Sequence, residues 1–197
     1  MMEEKKLTNR QIQAINTKNR IYQVAIHLLE KKGYENITIG EICNNAGVSV
    51  GSFYNYFESK NDILAEIYKR ADDYFRDEVA QYLTSSHTLD QIIEYFGYYA
   101  KYNEAVGIDT MRQLYNAANN KMFVKKGRYM QTLLQEVIKK GQDKNEIAKD
   151  MTVENISEYL FIAARGLIYD WCLHDGQKNL PDAMNKFMKR FVYIFKG

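Results

Sequence analysis

Residues 36–64 read NITIGEICNNAGVSVGSFYNYFESKNDIL, and this stretch predicts three helix starts and two tight turns. Thr38 precedes Glu41 by three residues, which is the spacing of a capping box that opens a short helix. Gly47 predicts the end of that helix, because glycine readily takes the left-handed conformation that a sharp turn needs. Ser49 predicts the cap of a second short helix. Two short helices joined by a tight glycine turn are typical of the helix-turn-helix, whose second helix enters the major groove of DNA.

The first helix of the chain precedes this stretch, and two positions compete for its start. We expect Thr17 to cap it, so that residues 1–16 form a mobile basic arm. The alternative is an earlier start, since Thr8 and Gln11 also have the spacing of a capping box. Gly33 predicts the end of this helix, after two lysines that suit the helix dipole.

The helix that follows the motif begins after Ser59, where Asp62 lies three residues on, and extends to about Tyr82. We expect Phe53 and Phe57 to pack inward and to hold the second helix of the motif against the first helix of the chain. The motif therefore depends on a small core made from neighbouring helices.

Three further helices are expected in the last third of the chain. A pattern of apolar residues predicts a seventh helix over 122–140. Thr152 predicts the cap of an eighth helix that reaches about Leu173. Pro181 is expected at the first position of a ninth, which ends near Phe195.

The composition argues for a helical protein without disulfides. Only one of the 197 residues is proline, which breaks helix interiors, and 46% are apolar, which is enough for a buried core. Cys43 and Cys172 are the only cysteines, so a reducing cytoplasm is expected. No apolar run approaches the ~20 residues that a membrane helix needs, so we expect no membrane partner. The sequence predicts an all-α fold of about nine helices.

Charge alone does not indicate nucleic acid as the partner, since the formal net charge is only +2. The placement of the charges is more informative, because basic residues gather around the motif and acidic residues follow it. The basic residues are Lys5, Lys6, Arg10, Lys18, Arg20 and Lys60, and the acidic residues are Asp72, Asp73, Asp77 and Glu78.

The order of residues in the motif also resembles that of a known family. The run Gly47-Val48-Ser49-x-Gly51-x-x-Tyr54-x-Tyr56-Phe57-x-x-Lys60-x-x-x-Leu64 resembles the DNA-binding signature of the TetR/AcrR family of bacterial transcriptional regulators. The resemblance in sequence covers roughly residues 17–66. In the rest of the chain it is limited to the order of the helices and to residues 166–171. It implies a helix-turn-helix DNA-binding domain of three helices at 17–66 and an effector-binding and dimerisation domain at 67–197.

The second helix of the motif, at about residues 50–55, carries the expected base contacts. Ser52 and Asn55 are the small polar side chains best placed to reach base edges, and Val50 can meet a thymine methyl group. Gly51 has no side chain, so the backbone can approach DNA closely. Ser49 is expected at the same surface, with capping as its first role.

Four residues around this helix are phosphate contacts by the resemblance. Tyr54 and Tyr56 flank the end of the helix, where their phenol groups can reach phosphates on either side of the groove. Lys60 and Thr38 complete the set. The alternative for each tyrosine is a partly buried aromatic side chain that touches no DNA.

The eighth and ninth helices are suited to self-association, because small residues allow close approach and phenylalanines supply apolar area. The expected dimer-interface residues are Ala163, Ala164, Gly166, Phe187, Phe191, Ile194 and Phe195. The resemblance implies that the two helices form a four-helix bundle with those of a second copy. The alternative is that they only cover the core of a monomer.

Aromatic and methionine side chains between the fourth and eighth helices indicate a pocket for a small apolar or amphipathic effector. The expected lining residues are Tyr95, Tyr98, Tyr99, Tyr102, Met111, Tyr115, Phe123, Met130 and Trp171. The alternative is that these residues are ordinary core.

The sequence thus predicts a transcriptional regulator, most often a repressor in this family, that a small effector releases from a palindromic double-stranded DNA operator. One alternative is an architectural or division-linked DNA binder on the same fold, without a small effector. Another is a ligand-binding body whose helix-turn-helix no longer reads DNA. We expect no catalytic residues, no cofactor and no metal, since His27, His87 and His174 are scattered and no phosphate-loop or nucleophile motif is present.

Overall fold

The computed structural model describes residues 7–115, 123 and 125–197. Over these residues the chain forms nine α-helices and no β-strand, which confirms the expected all-α fold. The helices are α1 (Asn9–Lys32), α2 (Ile39–Ala46), α3 (Val50–Tyr54), α4 (Lys60–Tyr74), α5 (Thr88–Val106), α6 (Ile108–Leu114), α7 (Tyr129–Asp143), α8 (Val153–Leu173) and α9 (Leu180–Phe191). Two short 3₁₀ segments, Tyr34–Asn36 and Val192–Phe195, follow α1 and α9. No helix within the described ranges is long and apolar enough to cross a membrane.

Helical structure continues beyond α4 as far as Tyr82, as the sequence predicts. A π-helical segment, Phe75–Val79, and one last turn, Ala80–Tyr82, extend the helix. Phe75 and Val79 are fully buried, and π turns of this kind are rare insertions in otherwise regular helices. The sequence gives no sign of this segment.

The chain divides into two compact units, one reaching to Leu64 and the other beginning at Ala65. The division falls inside α4, which contributes its first turn to one unit and its remainder to the other. The functions expected for residues 17–66 and 67–197 remain proposals.

The core of the first unit is formed by one face of α1, by α2 and by two phenylalanines. Its buried apolar residues include Ile21, Ala25, Leu29, Ile42, Ala46, Phe53, Phe57 and Ile63. The rings of Phe53 and Phe57 lie 5.6 Å apart, and Lys18 of α1 lies over the Phe57 ring at 5.5 Å. The inward packing expected for the two phenylalanines is therefore confirmed.

The start of α1 expected at Thr17 is wrong, because α1 begins at Asn9. The Thr8 hydroxyl accepts the N–H of Gln11 at 3.3 Å, while the Gln11 side chain accepts the N–H of Thr8 at 2.8 Å. The capping box prevails because it satisfies two free backbone N–H groups together. Residues 9–16 are therefore helical, and residues 1–6 lie outside the described part of the chain.

Of the three later helix starts predicted from the sequence, one is confirmed and two differ in the structure. Thr152 caps α8 as expected, accepting the N–H of Asn155 at 3.2 Å. α7 begins at Tyr129, because Gly127 has a φ of +78° that a helix cannot contain, and residue 122, where the start was expected, lies outside the described residues. Pro181 is the second rather than the first residue of α9.

In the second unit α5 is the central helix and packs against α7 and α9. Aromatic rings fill the space around it, with Tyr95 at 4.7 Å from Phe75 and Phe96 at 5.6 Å from Phe161. Tyr95 is completely buried, and its hydroxyl donates to the Met130 carbonyl at 2.7 Å. A buried phenol with a satisfied hydroxyl stabilises the core without an exposed polar group.

Candidate nucleic-acid interface and ligand cavity

The turn between α2 and α3 has the geometry that the sequence predicts. Gly47 is left-handed, with φ 62° and ψ 41°. The N–H of Gly47 donates to the Asn44 carbonyl at 3.3 Å, and the N–H of Val48 donates to the Cys43 carbonyl at 3.0 Å. These bonds satisfy carbonyls at the end of α2 and turn the chain sharply into α3.

Side chains cap both helices of the motif. The Thr38 hydroxyl accepts the N–H of Glu41 at 3.1 Å, and the Ser49 hydroxyl accepts the N–H of Ser52 at 3.0 Å. The capping box expected at Thr38 is only half formed, since the Glu41 carboxylate pairs with the Lys32 ammonium at 2.5 Å. An ion pair with α1 thus replaces the second half of the box.

The first turn of α3 faces solvent within its unit. Val50, the first residue of α3, is 48% exposed, and Tyr54, its last residue, is 52% exposed. Gly51 has no positive φ, and a Cβ added there would meet only the Ser49 hydroxyl at 3.9 Å. The fold of the unit therefore does not require glycine at this position, whereas the close approach of another molecule would.

The nine expected DNA contacts all belong to the first unit, and they differ in exposure. The exposed residues are Thr38, Ser49, Val50, Gly51, Tyr54 and Asn55, and the half-buried residues are Ser52, Tyr56 and Lys60. The Tyr54 ring packs edge-to-face with the buried Phe53 ring, with ring centres 5.6 Å apart, and about half of Tyr54 remains exposed.

Lys60 has a structural role that the sequence does not reveal. Its ammonium donates to the carbonyls of Tyr34 at 2.6 Å and Ile37 at 3.0 Å, and it lies 4.2 Å from the centre of the Tyr34 ring. Two of its three N–H groups are thus engaged within the unit, and one remains for another acceptor.

The start of α4 is also fixed by a side chain. The Asp62 carboxylate accepts the N–H groups of Glu58 at 2.7 Å and Ser59 at 3.0 Å. A carboxylate at this position also suits the positive end of the helix dipole.

The second unit contains a small cavity of about 20 Å³ among α4, α5, α6 and α7. Five of the nine expected pocket residues line it, namely Tyr99, Tyr102, Met111, Phe123 and Met130. The space admits about one water molecule, so a larger ligand would have to displace side chains.

The other four expected pocket residues do not line this cavity. Tyr95 is core, and Tyr98 stacks on Tyr82 with ring centres 6.4 Å apart. Trp171 donates its indole N–H to the Lys178 carbonyl at 2.9 Å and lines a separate pocket of about 60 Å³. Tyr115 lines an open depression on the side of Tyr169. Helical spacing alone does not separate core from cavity wall, which is why these assignments differ.

Three polar residues of the cavity wall were not expected from the sequence: Tyr68, Asn103 and Arg128. The Tyr68 hydroxyl is buried and has no hydrogen-bond partner among the described residues. Burial raises the pKa of Tyr68, with a smaller contribution from Tyr99, so the phenol stays protonated. One sequence signal points to Arg128: it follows a glycine and lies three residues before Gln131, which is the spacing of a helix cap. The Gln131 side chain accepts the backbone N–H of Arg128 at 3.3 Å.

A larger cleft of about 460 Å³ lies between α7 and α8. Its lining residues are Phe123, Lys126, Gly127, Gln131, Gln135, Glu154, Asn155, Ser157, Glu158, Phe161 and Arg165. Phe123 lines both the cleft and the small cavity, so this residue borders both spaces. Within the described ranges no group of three or more His, Cys, Asp or Glu side chains is placed to hold a metal ion.

An apolar stripe runs along the outer face of α8. Tyr159, Ile162, Tyr169 and Leu173 are all at least 49% exposed, and with Gly166 they recur at intervals of three and four residues. Four of these five were not expected from the sequence.

Two of the seven expected interface residues are buried and do not reach the surface of their unit. Ala164 and Phe195 are buried inside their own unit, because they lie on the inward faces of their segments. Gly166, Phe187 and Ile194 are exposed, whereas the remaining two expected residues, Ala163 and Phe191, are half-buried.

The sequence matches known bacterial regulators. Residues 21–67 match the family model described as "Bacterial regulatory proteins, tetR family". A helix-turn-helix-type transcriptional regulator of Staphylococcus aureus (strain USA300) is 23% identical over 153 residues, which cover 75% of this chain and 82% of the relative.

Solved structures share the fold. FadR from Bacillus subtilis, in complex with stearoyl-CoA, has a TM-score of 0.74 at 18% identity, over 88% of this chain and 97% of FadR. FadR from Bacillus halodurans has a TM-score of 0.72 at 16% identity, over 94% of this chain and 95% of its own. At these identities the likeness concerns the fold alone.

Proposed function

Because this chain belongs to the TetR family and is a helix-turn-helix transcriptional regulator, we propose that it represses transcription from a palindromic operator and is released by a small molecule. The observation that carries the proposal is the exposed first turn of α3, capped by Ser49 and bearing Val50 and Gly51. Free backbone N–H groups at a helix start favour a phosphate, and a glycine lets the duplex come close.

The expected contacts divide into two kinds by their chemistry. Ser52 and Asn55 read base edges, while Val50 meets a thymine methyl group. The phenols of Tyr54 and Tyr56, the Thr38 hydroxyl and the remaining N–H of Lys60 bind phosphates and set the orientation of α3 in the groove.

A palindromic site requires two copies of the chain. We assign the exposed stripe of α8, together with Phe187 and Ile194, to the contact between two copies, since contiguous exposed apolar side chains mark interaction surfaces. Consecutive half-sites lie one helical turn apart, so the two α3 helices must be separated by ~34–36 Å.

Release requires that a ligand alters this spacing. α4 belongs to both units, so a ligand that displaces it in the second unit changes the position of α3. Bound stearoyl-CoA in the Bacillus subtilis relative supports an effector with an apolar part. A coupling of about 1–3 kcal/mol reduces DNA affinity by 5- to 150-fold.

Selection of bound DNA from a random pool tests the proposal. We expect a palindrome with half-sites about one turn apart. With the double variant Ser52→Ala/Asn55→Ala we expect the base preference to be lost at the positions that these two side chains read. Many scattered sites of low information would favour the architectural alternative, and no enrichment by the wild type would overturn the DNA-binding role. Small molecules are then screened for release of the selected operator.

A further inference from the structure

We propose that the effector is an amphipathic anion, whose charged group is bound by Arg165 at the inner end of the cleft between α7 and α8. The proposal rests on the release function above and specifies the chemical class of the effector. A cleft of about 460 Å³ has the size of an ordinary small-molecule site.

Arg165 is a half-buried cation without a carboxylate partner among the described residues. Its guanidinium donates one long bond, 3.5 Å, to the Phe123 carbonyl and lies 5.8 Å from the centre of the Phe123 ring. A guanidinium has five N–H donors in a planar fork that fits carboxylate and phosphate groups. Within the described part of the chain, most of these donors have no acceptor and are open to a ligand.

The other arginines around the core of this unit are compensated. Arg70, Arg76, Arg112 and Arg128 each lie 3.4 Å or less from a carboxylate oxygen of the chain. A partly desolvated charge normally has such a partner. Among the described residues Arg165 departs from this pattern, and it lines the cleft between α7 and α8.

The surroundings of Arg165 suit an apolar chain attached to the anion. Phe123 and Phe161 line the cleft, and the Phe123 ring lies 5.3 Å from Tyr68 and 4.9 Å from Tyr115. Phe123 also borders the small cavity, where the buried Tyr68 hydroxyl has no partner among the described residues. A tail inserted along Phe123 thus enters an aromatic region, and adaptable methionines there can make room for it.

The positive charge of Arg165 acts on this region. Burial raises the pKa values of Tyr68, Tyr99 and Tyr115, and the charge of Arg165 opposes that rise at all three. The guanidinium therefore sets a positive potential at the inner end of the cleft.

Three other charged side chains line the cleft, and all are exposed: Lys126, Glu154 and Glu158. Glu158 is seven residues from Arg165 along α8, or about 10 Å along the helix axis, and Glu154 is farther. Neither carboxylate forms an ion pair with Arg165, and salt weakens the field of exposed carboxylates. They leave the inner end positive, and they disfavour a second anionic group at the outer end.

Binding of three probes with the same twelve-carbon chain tests the proposal: dodecanoate, 1-dodecanol and dodecyltrimethylammonium. Calorimetry with the full chain, below the concentrations at which the probes aggregate, gives each affinity without DNA. We expect dodecanoate to bind roughly 10- to 150-fold more tightly than the alcohol, as for a hydrogen bond to a charged group, and the cation to bind most weakly.

The variant Arg165→Met should bind the acid and the alcohol equally, and Arg165→Lys should keep part of the preference. Lys126→Met is the matched control, because it removes an exposed cation of the same cleft, and the preference should persist. Circular dichroism checks that each variant is folded, and the wild-type series of three probes is informative without any variant.

Equal binding of the acid and the alcohol by the wild type, no binding of any probe, or a preference that survives in Arg165→Met would overturn the proposal. The outcome is separable from the release function. If the protein binds the acid selectively but its operator affinity does not change, the role of Arg165 is supported and the release function is contradicted. If only neutral molecules release the operator, the release function is supported and the role of Arg165 is contradicted.

Discussion

Arg128, immediately before α7, binds Asp72 of α4 with 3.1 Å between Nε and Oδ2. The same guanidinium donates to the Tyr68 carbonyl at 2.8 Å, one turn earlier on α4, and the N–H of Met130 donates to Asp72 at 3.2 Å. Arg128 is 8% exposed and Asp72 is 19% exposed. Because Arg128 also lines the small cavity, one side chain links a cavity wall to two positions on α4.

The variant Arg128→Met should therefore lower the free energy of unfolding by about 3–5 kcal/mol, since it leaves the Asp72 carboxylate poorly solvated and without its cation. The double variant Asp72→Leu/Arg128→Met should recover much of this loss. Urea denaturation measures both, with Lys144→Met as an exposed control. If the double variant is no more stable than the single one, the charge pair is not the cause.

Lys60→Met should have two separable effects. Loss of the two bonds to backbone carbonyls should lower stability by about 1–3 kcal/mol. Loss of a phosphate contact should weaken binding to every DNA sequence and reduce the salt slope by about one counterion. Fluorescence anisotropy across a salt series gives the slope; an unchanged slope with reduced stability would assign Lys60 a purely structural role.

Ser52→Ala and Asn55→Ala should instead relax discrimination at one or two operator positions, at about 1–3 kcal/mol per position. Competition between the selected operator and single-base variants measures this. Tyr54→Phe is the contrasting variant, because loss of a phosphate contact lowers affinity for all of these sequences alike. Uniform weakening by Ser52→Ala and Asn55→Ala would place base reading elsewhere.

Tyr169→Glu/Leu173→Glu should convert a dimer into a monomer, since it places two charges on the apolar stripe of α8. Sedimentation velocity at micromolar concentration measures the change. Tyr82→Glu is the control, because Tyr82 is 56% exposed but lies outside α8 and α9. A wild-type chain that sediments as a monomer would contradict the assignment of the stripe.

Glu146 makes the free energy of unfolding depend on pH, and the direction of this dependence follows from its pKa. Hydrogen bonds from Thr88, including its N–H at 2.6 Å, lower the pKa of Glu146. A lowered pKa in the folded state adds stability that is present above the ordinary glutamate value and is lost as the pH falls through the folded value. Glu146→Gln should thus be less stable than the wild type at pH 7, and the difference should shrink under acid conditions. Thermal melts at a series of pH values measure it, and a difference independent of pH would contradict the linkage.

Local chemistry determined what could be predicted from the sequence. The caps at Thr38, Ser49 and Thr152 each depend on residues three positions apart, so their signals are visible in a short stretch. Thr17 failed because two capping signals competed, and the capping box satisfied more backbone groups. The pairing of Asp72 with Arg128 spans 56 residues and has no periodic signal, so only the packing of α4 against α7 reveals it.

The same limit applies to helix faces. Ala164 and Gly166 are two residues apart and both small, yet one is buried and the other exposed, because they lie on different sides of α8. Composition pointed to α8 as the helix suited to self-association, and the register of that helix within its unit decides which of its side chains reach the surface.

The position of Lys60 also affects the entropy of any complex that it joins. A free lysine loses up to about 2 kcal/mol of rotamer entropy when it is ordered. In this chain the carbonyls of Tyr34 and Ile37 have already immobilised that side chain during folding. An acceptor that meets its third N–H therefore finds a rigid donor, and little further ordering opposes the contact.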